Sequence, residues 1–383
     1  MLKYITNAQI LTPHGWVENG TISFCDGRIT SIKEGGIAFR DKNVTDAQGA
    51  YIIPGGIDLH VHGGGGYDFM ECSEEAFRIA THTHLRHGTT AIYPTLGAAS
   101  HEGMMQAIEI TERLMAEPNS TIMGLHFEGP YLNQQMAGGQ IPEYICNPAA
   151  EQYTEMLNST NCIKRWDAAP ELEGSMEFAQ YAASKGVMVA IAHTTADYNT
   201  LQEAYNAGFT HATHFYNAMT SVHKRREFKY EGTIEGVYLI DGMSVELIAD
   251  GIHVPPAILR LVHKIKGTER ICLVTDAMAC TGGDTDKVFD ERVIIEDGVC
   301  KLADRSALSG SIATMDRLIR TMVQKAEIPL AEAVRMTSET PARIMGIYDR
   351  KGSLAVGKDA DIVIMDDSLT IRGVWSMGQQ VEL

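Results

Sequence analysis

The feature that most constrains the fold is an alternation of two patterns. Eight short apolar runs lie at residues 52–62, 89–94, 122–128, 165–169, 187–193, 211–214, 245–249 and 271–276. Between them are stretches of helix-former composition at 73–87, 101–117, 149–159, 174–185, 197–207 and 255–265, and two more follow the last run at 315–327 and 330–337. Strands separated by helix-length segments are joined by crossovers rather than hairpins, which makes their sheet parallel. Eight such units predict an α/β fold of the (β/α)₈ TIM-like barrel type. A doubly wound open sheet is the structural alternative, because counting strands does not establish closure. With 44% apolar and 21% charged residues over 383 positions, the chain has the composition of a folded protein and the length for one large core plus a smaller one.

Both ends of the chain depart from that alternation. Residues 4–10, 20–24 and 28–32 are short apolar runs, the last two separated by the Asp26-Gly27 turn, and 361–365, 370–376 and 379–382 repeat this character. The two ends are expected to meet in one small β-sandwich domain, since chain termini often lie close together. The expected division is 1–53 and 347–383 for that domain, and 54–346 for the barrel.

A net charge of −17 argues against a protein that coats nucleic acid or an anionic membrane, because both need a basic face. Seven cysteines without framework spacing read as reduced thiols. The N-terminal residues lack a basic segment followed by an apolar one, and no stretch approaches 18 uninterrupted apolar residues. The expectation is a cytoplasmic protein, neither exported nor inserted in a membrane.

In a barrel, the residues at the carboxyl ends of the strands form the site. His60 and His62 end the first predicted strand, Glu128 the third, His193 the fifth, His214 the sixth and Asp276 the eighth. The two-residue spacing of His60 and His62 puts both imidazoles on one strand face, within reach of one ion, although such a pair also occurs as a hydrogen-bonded strand end. Glu128 precedes the Gly129-Pro130 break, where a carboxylate can also serve as a helix cap. Taken together, one carboxylate and the imidazoles of His193 and His214 make a nitrogen and oxygen ligand set suited to a divalent ion such as zinc, with a position left for water. Asp276 is then a natural proton acceptor for that water, and otherwise a hydrogen-bond acceptor at the barrel end. Asp250-Gly251-Ile252-His253 adds an imidazole that either contacts substrate or caps a helix. His223, Lys224, Arg225, Arg226 and Lys229 make a basic cluster after the sixth strand. Such a cluster is either a phosphate clamp or a solvated loop.

These segments also carry a resemblance. Pro54-Gly55-Gly56-Ile57-Asp58-Leu59-His60-Val61-His62-Gly63 and Gly352-Ser353-Leu354-Ala355-Val356-Gly357-Lys358-Asp359-Ala360-Asp361-Ile362-Val363 are similar to the opening and closing signatures of the amidohydrolase superfamily. Within it, His126-Phe127-Glu128-Gly129-Pro130, His214-Phe215-Tyr216-Asn217-Ala218-Met219, Ala249-Asp250-Gly251-Ile252-His253, Val274-Thr275-Asp276-Ala277 and Leu308-Ser309-Gly310-Ser311 resemble the N-acetylglucosamine-6-phosphate deacetylases, across essentially the whole chain. The resemblance implies hydrolysis of the N-acetyl group of N-acetylglucosamine 6-phosphate by metal-activated water. It implies Glu128, His193 and His214 as metal ligands, with His60 and His62 available for a second ion, and Asp276 as general base. Zinc is the ion it suggests, with iron or another divalent ion as alternatives, one or two per chain. Substrate contacts fall on Gly139, Gln140, Asn217, Ala218, His253, Leu308, Ser309 and Gly310, and phosphate on Arg226, reaching across the interface of a homodimer.

Two departures accompany the resemblance. Many family members carry Lys-Gly-Ala-His after the Glu-Gly-Pro motif, where this chain has Ala137-Gly138-Gly139-Gln140; glutamine hydrogen-bonds but cannot be cationic. The basic loop is one residue longer, which leaves Arg225 and Arg226 as alternatives. The galactosamine isomer of the substrate, a cyclic-amide hydrolase and a metal-free scaffold homologue are the competing functions.

Overall fold

The computed structural model describes residues 1–36, 43–283 and 287–383. The N-terminal strands are β1 (Lys3–Thr12), β2 (Gly15–Cys25), β3 (Arg28–Glu34), β4 (Val44–Asp46) and β5 (Tyr51–Pro54). The barrel begins with β6 (Gly56–Val61), followed by the two-residue ladder β7 (Gly63–Gly64) and β8 (Tyr67–Asp68). Its remaining strands are β9 (Thr89–Leu96), β10 (Leu125–Glu128), β11 (Ile163–Ala168), β12 (Met188–Ile191) and β13 (Phe209–Ala212). After the hairpin β14 (His223–Arg225) and β15 (Phe228–Tyr230) come β16 (Ser244–Leu247) and β17 (Ile271–Leu273). A second hairpin, β18 (Val293–Glu296) and β19 (Val299–Leu302), precedes the C-terminal strands β20 (Ile362–Met365), β21 (Ile371–Ser376) and β22 (Gln379–Gln380).

The barrel sheet runs β17-β16-β13-β12-β11-β10-β9-β6, with parallel pairing throughout. Its seam closes just beyond β17: Asp276 N–H donates to His60 O at 2.9 Å, His62 N–H to Ala277 O at 2.9 Å, and Thr275 Oγ1 to the Asp58 carboxylate at 2.6 Å. Closure settles the choice between barrel and open sheet. Strands β6, β9, β10 and β16 are buried at every position, as expected of strands covered on both faces, and this is why they read as continuous apolar runs. Helices α1 (Glu74–Arg86), α2 (His101–Met115), α3 (Ala150–Ser159), α4 (Ser175–Ser184) and α5 (Tyr198–Ala207) fall where composition predicts them. Ser73, Ser100 and Asp197 cap α1, α2 and α5 by accepting from a backbone N–H of the first turn. Helices α6 (Thr233–Leu239), α7 (Pro256–Lys266), α8 (Met315–Gln324), α9 (Leu330–Thr337) and α10 (Glu339–Ile344) complete the chain; α6 and α10 carried no sequence expectation.

The predicted first strand, 52–62, is in fact two strands of different sheets. Pro54 ends β5, which pairs with β1 and β20, while β6 enters the barrel against β9. At the crossing, Gly55 packs so closely on Thr90 that a Cβ there would overlap its side chain. The outer sheet runs β22-β21-β20-β5-β1-β2-β3, with β4 added beside β1, and so is built from both chain ends. It folds over on itself: Ile29 N–H donates to Lys358 O at 2.9 Å and Ala360 N–H to Gly27 O at 2.8 Å, tying β3 back to the segment before β20. The enclosed core includes Ile10, Ile22, Phe24, Ile52, Ile362 and Trp375. None of the helices among the described residues is long and apolar enough to cross a membrane.

Candidate active site

Alternation along the barrel strands places polar residues inward at positions where barrels usually stack aliphatic side chains. Asp58 and His60 on β6, His126 and Glu128 on β10, Arg165 and Asp167 on β11, His211 on β13, and Ser244 and Glu246 on β16 are all buried. Arg165 ties most of them together, while His126 Nε2 and His211 Nε2 lie near carboxylates without a well-formed hydrogen bond. Arg165 donates to Asp167 through Nε at 2.9 Å and a terminal nitrogen at 3.0 Å, to Thr213 Oγ1 at 2.8 Å, and to Glu246. His126 Nε2 lies 3.0 Å from Asp167, and His211 Nδ1 lies 2.7 Å from Ser244 Oγ. Burial pushes the Asp58 carboxyl up to about 7 despite its hydrogen bonds from Thr275. It would also raise Glu246, but the Arg165 guanidinium outweighs it and holds Glu246 well below the usual carboxylate range.

Above this layer, the six residues expected at the strand ends come together in two groups, each of which could hold a metal ion: His60, His62 and Asp276, and Glu128, His193 and His214. Glu128 faces both. Its Oε1 lies 2.9 Å from Nε2 of His193 and 2.9 Å from Nε2 of His214, while its Oε2 lies 3.2 Å from Nε2 of His62 and 3.5 Å from Nε2 of His60. Asp276 Oδ1 lies 3.2 Å from His62 and 3.5 Å from His60. The Nε2 atoms within each imidazole pair are 3.2 Å apart. Ligands at 2.0–2.1 Å from one tetrahedral ion are separated by roughly 3.3 Å, so the donor spacing fits such an ion.

The electrostatics fit as well. Burial alone would push the imidazoles down, but the Glu128 and Asp276 carboxylates outweigh it, raising His60 well above its ordinary value and His62 to about 9. Glu128 would be raised by burial, yet the charge of His60 and the hydrogen bonds from His193 and His214 hold it well below the usual range. For Asp276, the charge of His60 and the hydrogen bond from His62 likewise outweigh burial and lower it. The buried carboxylates Glu128 and Asp276 thus favour positive charge at this centre, which a divalent ion supplies.

The Nδ1 atoms fix the rings. His193 Nδ1 lies 2.6 Å from Met136 O, His214 Nδ1 lies 3.1 Å from Asn217 O, and His60 Nδ1 lies 3.2 Å from Glu246 Oε2. A proton on Nδ1 leaves each Nε2 lone pair aimed at the centre. His193, His214 and Asp276 have φ of +44°, +27° and +47°. The left-handed region costs such residues roughly 1–3 kcal/mol each. Neighbouring groups sustain the strain: Asn133 N–H donates to His193 O at 3.0 Å, His214 N–H to the Glu246 side-chain Oε2 at 3.2 Å, and Ser311 N–H to Asp276 O at 2.7 Å.

A cavity of about 520 Å³ opens on this cluster. Gly139, Gln140, Asn217, Ala218, His253, Leu308, Ser309 and Gly310 all line it, together with Asp68, Met136 and Met278. His253 is oriented by Asp250, whose Oδ2 lies 2.8 Å from its Nδ1. His60 is buried beneath the cavity rather than in its wall. Arg226 is not brought to it within the chain. What the sequence suggested as a loop is the hairpin of β14 and β15, with Arg226 at φ +57° in its turn and Val222, Phe228 and Tyr230 exposed. Among the described lining residues none is lysine or arginine.

The buried network beneath the ligands and the tie from Met136 were not foreseen from the sequence. Polar residues two positions before Glu128, Asp167 and Glu246 were the available signal, since that spacing puts both on one strand face. Met136 O carries no sequence signal at all.

The chain matches the model of the amidohydrolase family over residues 51–381. It is 31% identical over 375 residues to N-acetylglucosamine-6-phosphate deacetylase of Bacillus subtilis, covering 96% of this chain and 94% of that one. It is equally 31% identical over 386 residues to N-acetylgalactosamine-6-phosphate deacetylase of Escherichia coli O157:H7, covering 99% of each. The crystal structure of N-acetylglucosamine-6-phosphate deacetylase from Pasteurella multocida is similar to it with a TM-score of 0.92 at 30% identity, over 99% of both chains. By fold and by sequence, the chain belongs to the amidohydrolase family.

Proposed function

We propose that this protein hydrolyses N-acetylglucosamine 6-phosphate to glucosamine 6-phosphate and acetate. The observation that carries this reading is Glu128, whose two oxygens are divided between two imidazole pairs at the floor of a cavity of about 520 Å³. Glu128, His193 and His214 would hold one divalent ion, and His60, His62 and Asp276 border a second position; zinc is the ion we infer. Such an ion supplies Lewis acidity, lowering the pKa of a water towards neutrality and polarising the acyl carbonyl. Asp276 accepts the proton released as the water oxygen bonds to the acyl carbon. When the carbon–nitrogen bond breaks, the same carboxyl returns the proton to the leaving nitrogen, giving the amine and acetate. His253, fixed by Asp250, and Gln140 present polar groups to the substrate side, while Gly139, Asn217, Ala218, Leu308, Ser309 and Gly310 wall the sugar.

The barrel domain, 54–346, carries this chemistry, and the small domain of 1–53 and 347–383 braces it. A phosphate needs a cationic partner, and the described lining residues of the cavity include no lysine or arginine. The exposed hairpin with its apolar residues Val222, Phe228 and Tyr230 supports a homodimer in which Arg226, or Arg225, enters the partner's site. The similarity to a galactosamine-isomer deacetylase keeps that substrate as the second reading. Acetate release from the gluco and galacto sugar phosphates and from their unphosphorylated forms tests both. Fastest turnover is expected on N-acetylglucosamine 6-phosphate; release from neither phosphate would sink the assignment.

A further inference from the structure

Gln140 lines the cavity, yet both ends of its side chain are engaged within the protein. Its Oε1 accepts from Ala98 N–H at 2.7 Å, and its Nε2 donates to Glu128 Oε2 at 2.7 Å. These partners fix the amide orientation, because a backbone N–H must meet the oxygen and a carboxylate must meet the nitrogen. The residue is buried and its backbone is anchored: an Arg292 terminal nitrogen donates to Gly139 O and Gln140 O, each at 3.2 Å. Gly97 packs directly behind it, where an added Cβ would stand 2.8 Å from Gln140 Oε1. The same loop supplies Met136 O to His193 Nδ1. Residues 133–140 therefore grip Glu128 and His193, two of the three residues in the Glu128, His193 and His214 group.

We propose that Gln140 is a positioning residue for Glu128. By holding Oε2 it sets the rotation of the carboxylate so that Oε1 points between His193 and His214. This goes beyond a substrate contact and rests on the reading of Glu128 as a metal ligand. A carboxylate pinned through one oxygen keeps the other at a fixed angle to the imidazoles, and loss of such supporting partners typically costs about 10- to 100-fold in metal affinity.

The test is zinc affinity, measured by competition with a chromophoric chelator on purified protein stripped of metal, alongside steady-state kinetics. Gln140→Met keeps the length and removes both hydrogen bonds. We expect about a 10- to 100-fold weaker dissociation constant for the tighter zinc ion, a lower kcat and little change in KM. Gly97→Ala leaves Gln140 in the sequence but crowds its Oε1, and should weaken zinc in the same direction by less; it also carries the test if Gln140→Met does not fold. A raised KM with unchanged zinc affinity would overturn the proposal and make Gln140 a substrate contact. Failure of the wild-type protein to bind zinc or any other divalent ion would instead remove the metal centre itself, and the proposal with it.

Discussion

On one side of Glu128 the imidazoles are braced from inside the barrel, and on the other by loop backbone. His60 leans on Glu246, which is held in turn by Arg165, and the strand below it is tied across the seam by Asp58 and Thr275. His193 and His214 lean on Met136 O and Asn217 O, neutral carbonyls in loops that also wall the cavity. A carboxylate behind an imidazole raises its basicity and a buried network locks its position, whereas a loop carbonyl ties the ligand to whatever moves the loop. His60 is thus fixed through the barrel interior, while His193 and His214 take their ring orientation from loop carbonyls, His214 keeping a backbone tie to Glu246 as well.

The largest effect is expected where the braced half does chemistry. Asp276→Asn keeps the shape and the seam but cannot accept a proton, so kcat should fall by about 10²- to 10⁴-fold with bound metal retained. A loss below about tenfold would take Asp276 out of the proton-transfer role and leave the braced half structural.

The bracing itself is open to attack through Arg165→Leu, which leaves Asp167 and Glu246 buried without their guanidinium. Breaking a buried pair in this way costs about 3–5 kcal/mol, readable by denaturant unfolding. The sign with pH follows from the depressed carboxyls. With Arg165 present, Asp167 and Glu246 are held below their unfolded values, so their contribution is present above about pH 4 and is lost as pH falls further. The gap between wild type and variant should thus narrow in acid. A cost near 1 kcal/mol, the level of a surface ion pair, would show that the network does not brace the site.

The site residues and the features that hold them were not equally legible in the sequence. The barrel was legible because covered parallel strands are continuous apolar runs, and the six site residues because they end those runs. Strand β6 was not separable from β5, since the break at Pro54-Gly55 interrupts no hydrophobic pattern; it only redirects the chain to another sheet. The basic cluster was legible as charge but not as a hairpin, because Arg226 at positive φ is an uncommon turn residue. The role of Gln140 was hidden for a different reason: its partner Ala98 N–H lies 42 residues away, and no local pattern encodes it.

A smaller effect separates both halves from the exposed hairpin. Arg226→Ala should raise KM for the phosphorylated sugar by about tenfold or more, the worth of a hydrogen bond to a charged group, and leave the unphosphorylated sugar nearly unaffected. Arg225→Ala is the comparison, since Arg225 already lies over the Tyr230 ring at 5.1 Å. A larger effect there moves the clamp by one residue, and equal effects on both sugars make the hairpin structural.

The smallest effect on turnover tests the two halves against each other. Each half offers three donors, so the protein supplied with metal should bind up to two ions per chain. Replacing His60 and His62 together by alanine removes one set of imidazoles and leaves Glu128 Oε1, His193 and His214 in place, because their supports come from Gln140, Met136 and Asn217 rather than from β6. The ion count should fall from two to one, measured by elemental analysis. Turnover should drop by only about tenfold, a cost of roughly 1.4 kcal/mol, far less than for Asp276→Asn. One ion in both proteins with unchanged activity would show that the pair of His60 and His62 serves the fold alone. Complete loss of metal from the double variant would show the opposite, that the loop-held half cannot keep its ion without the barrel-held one beside it.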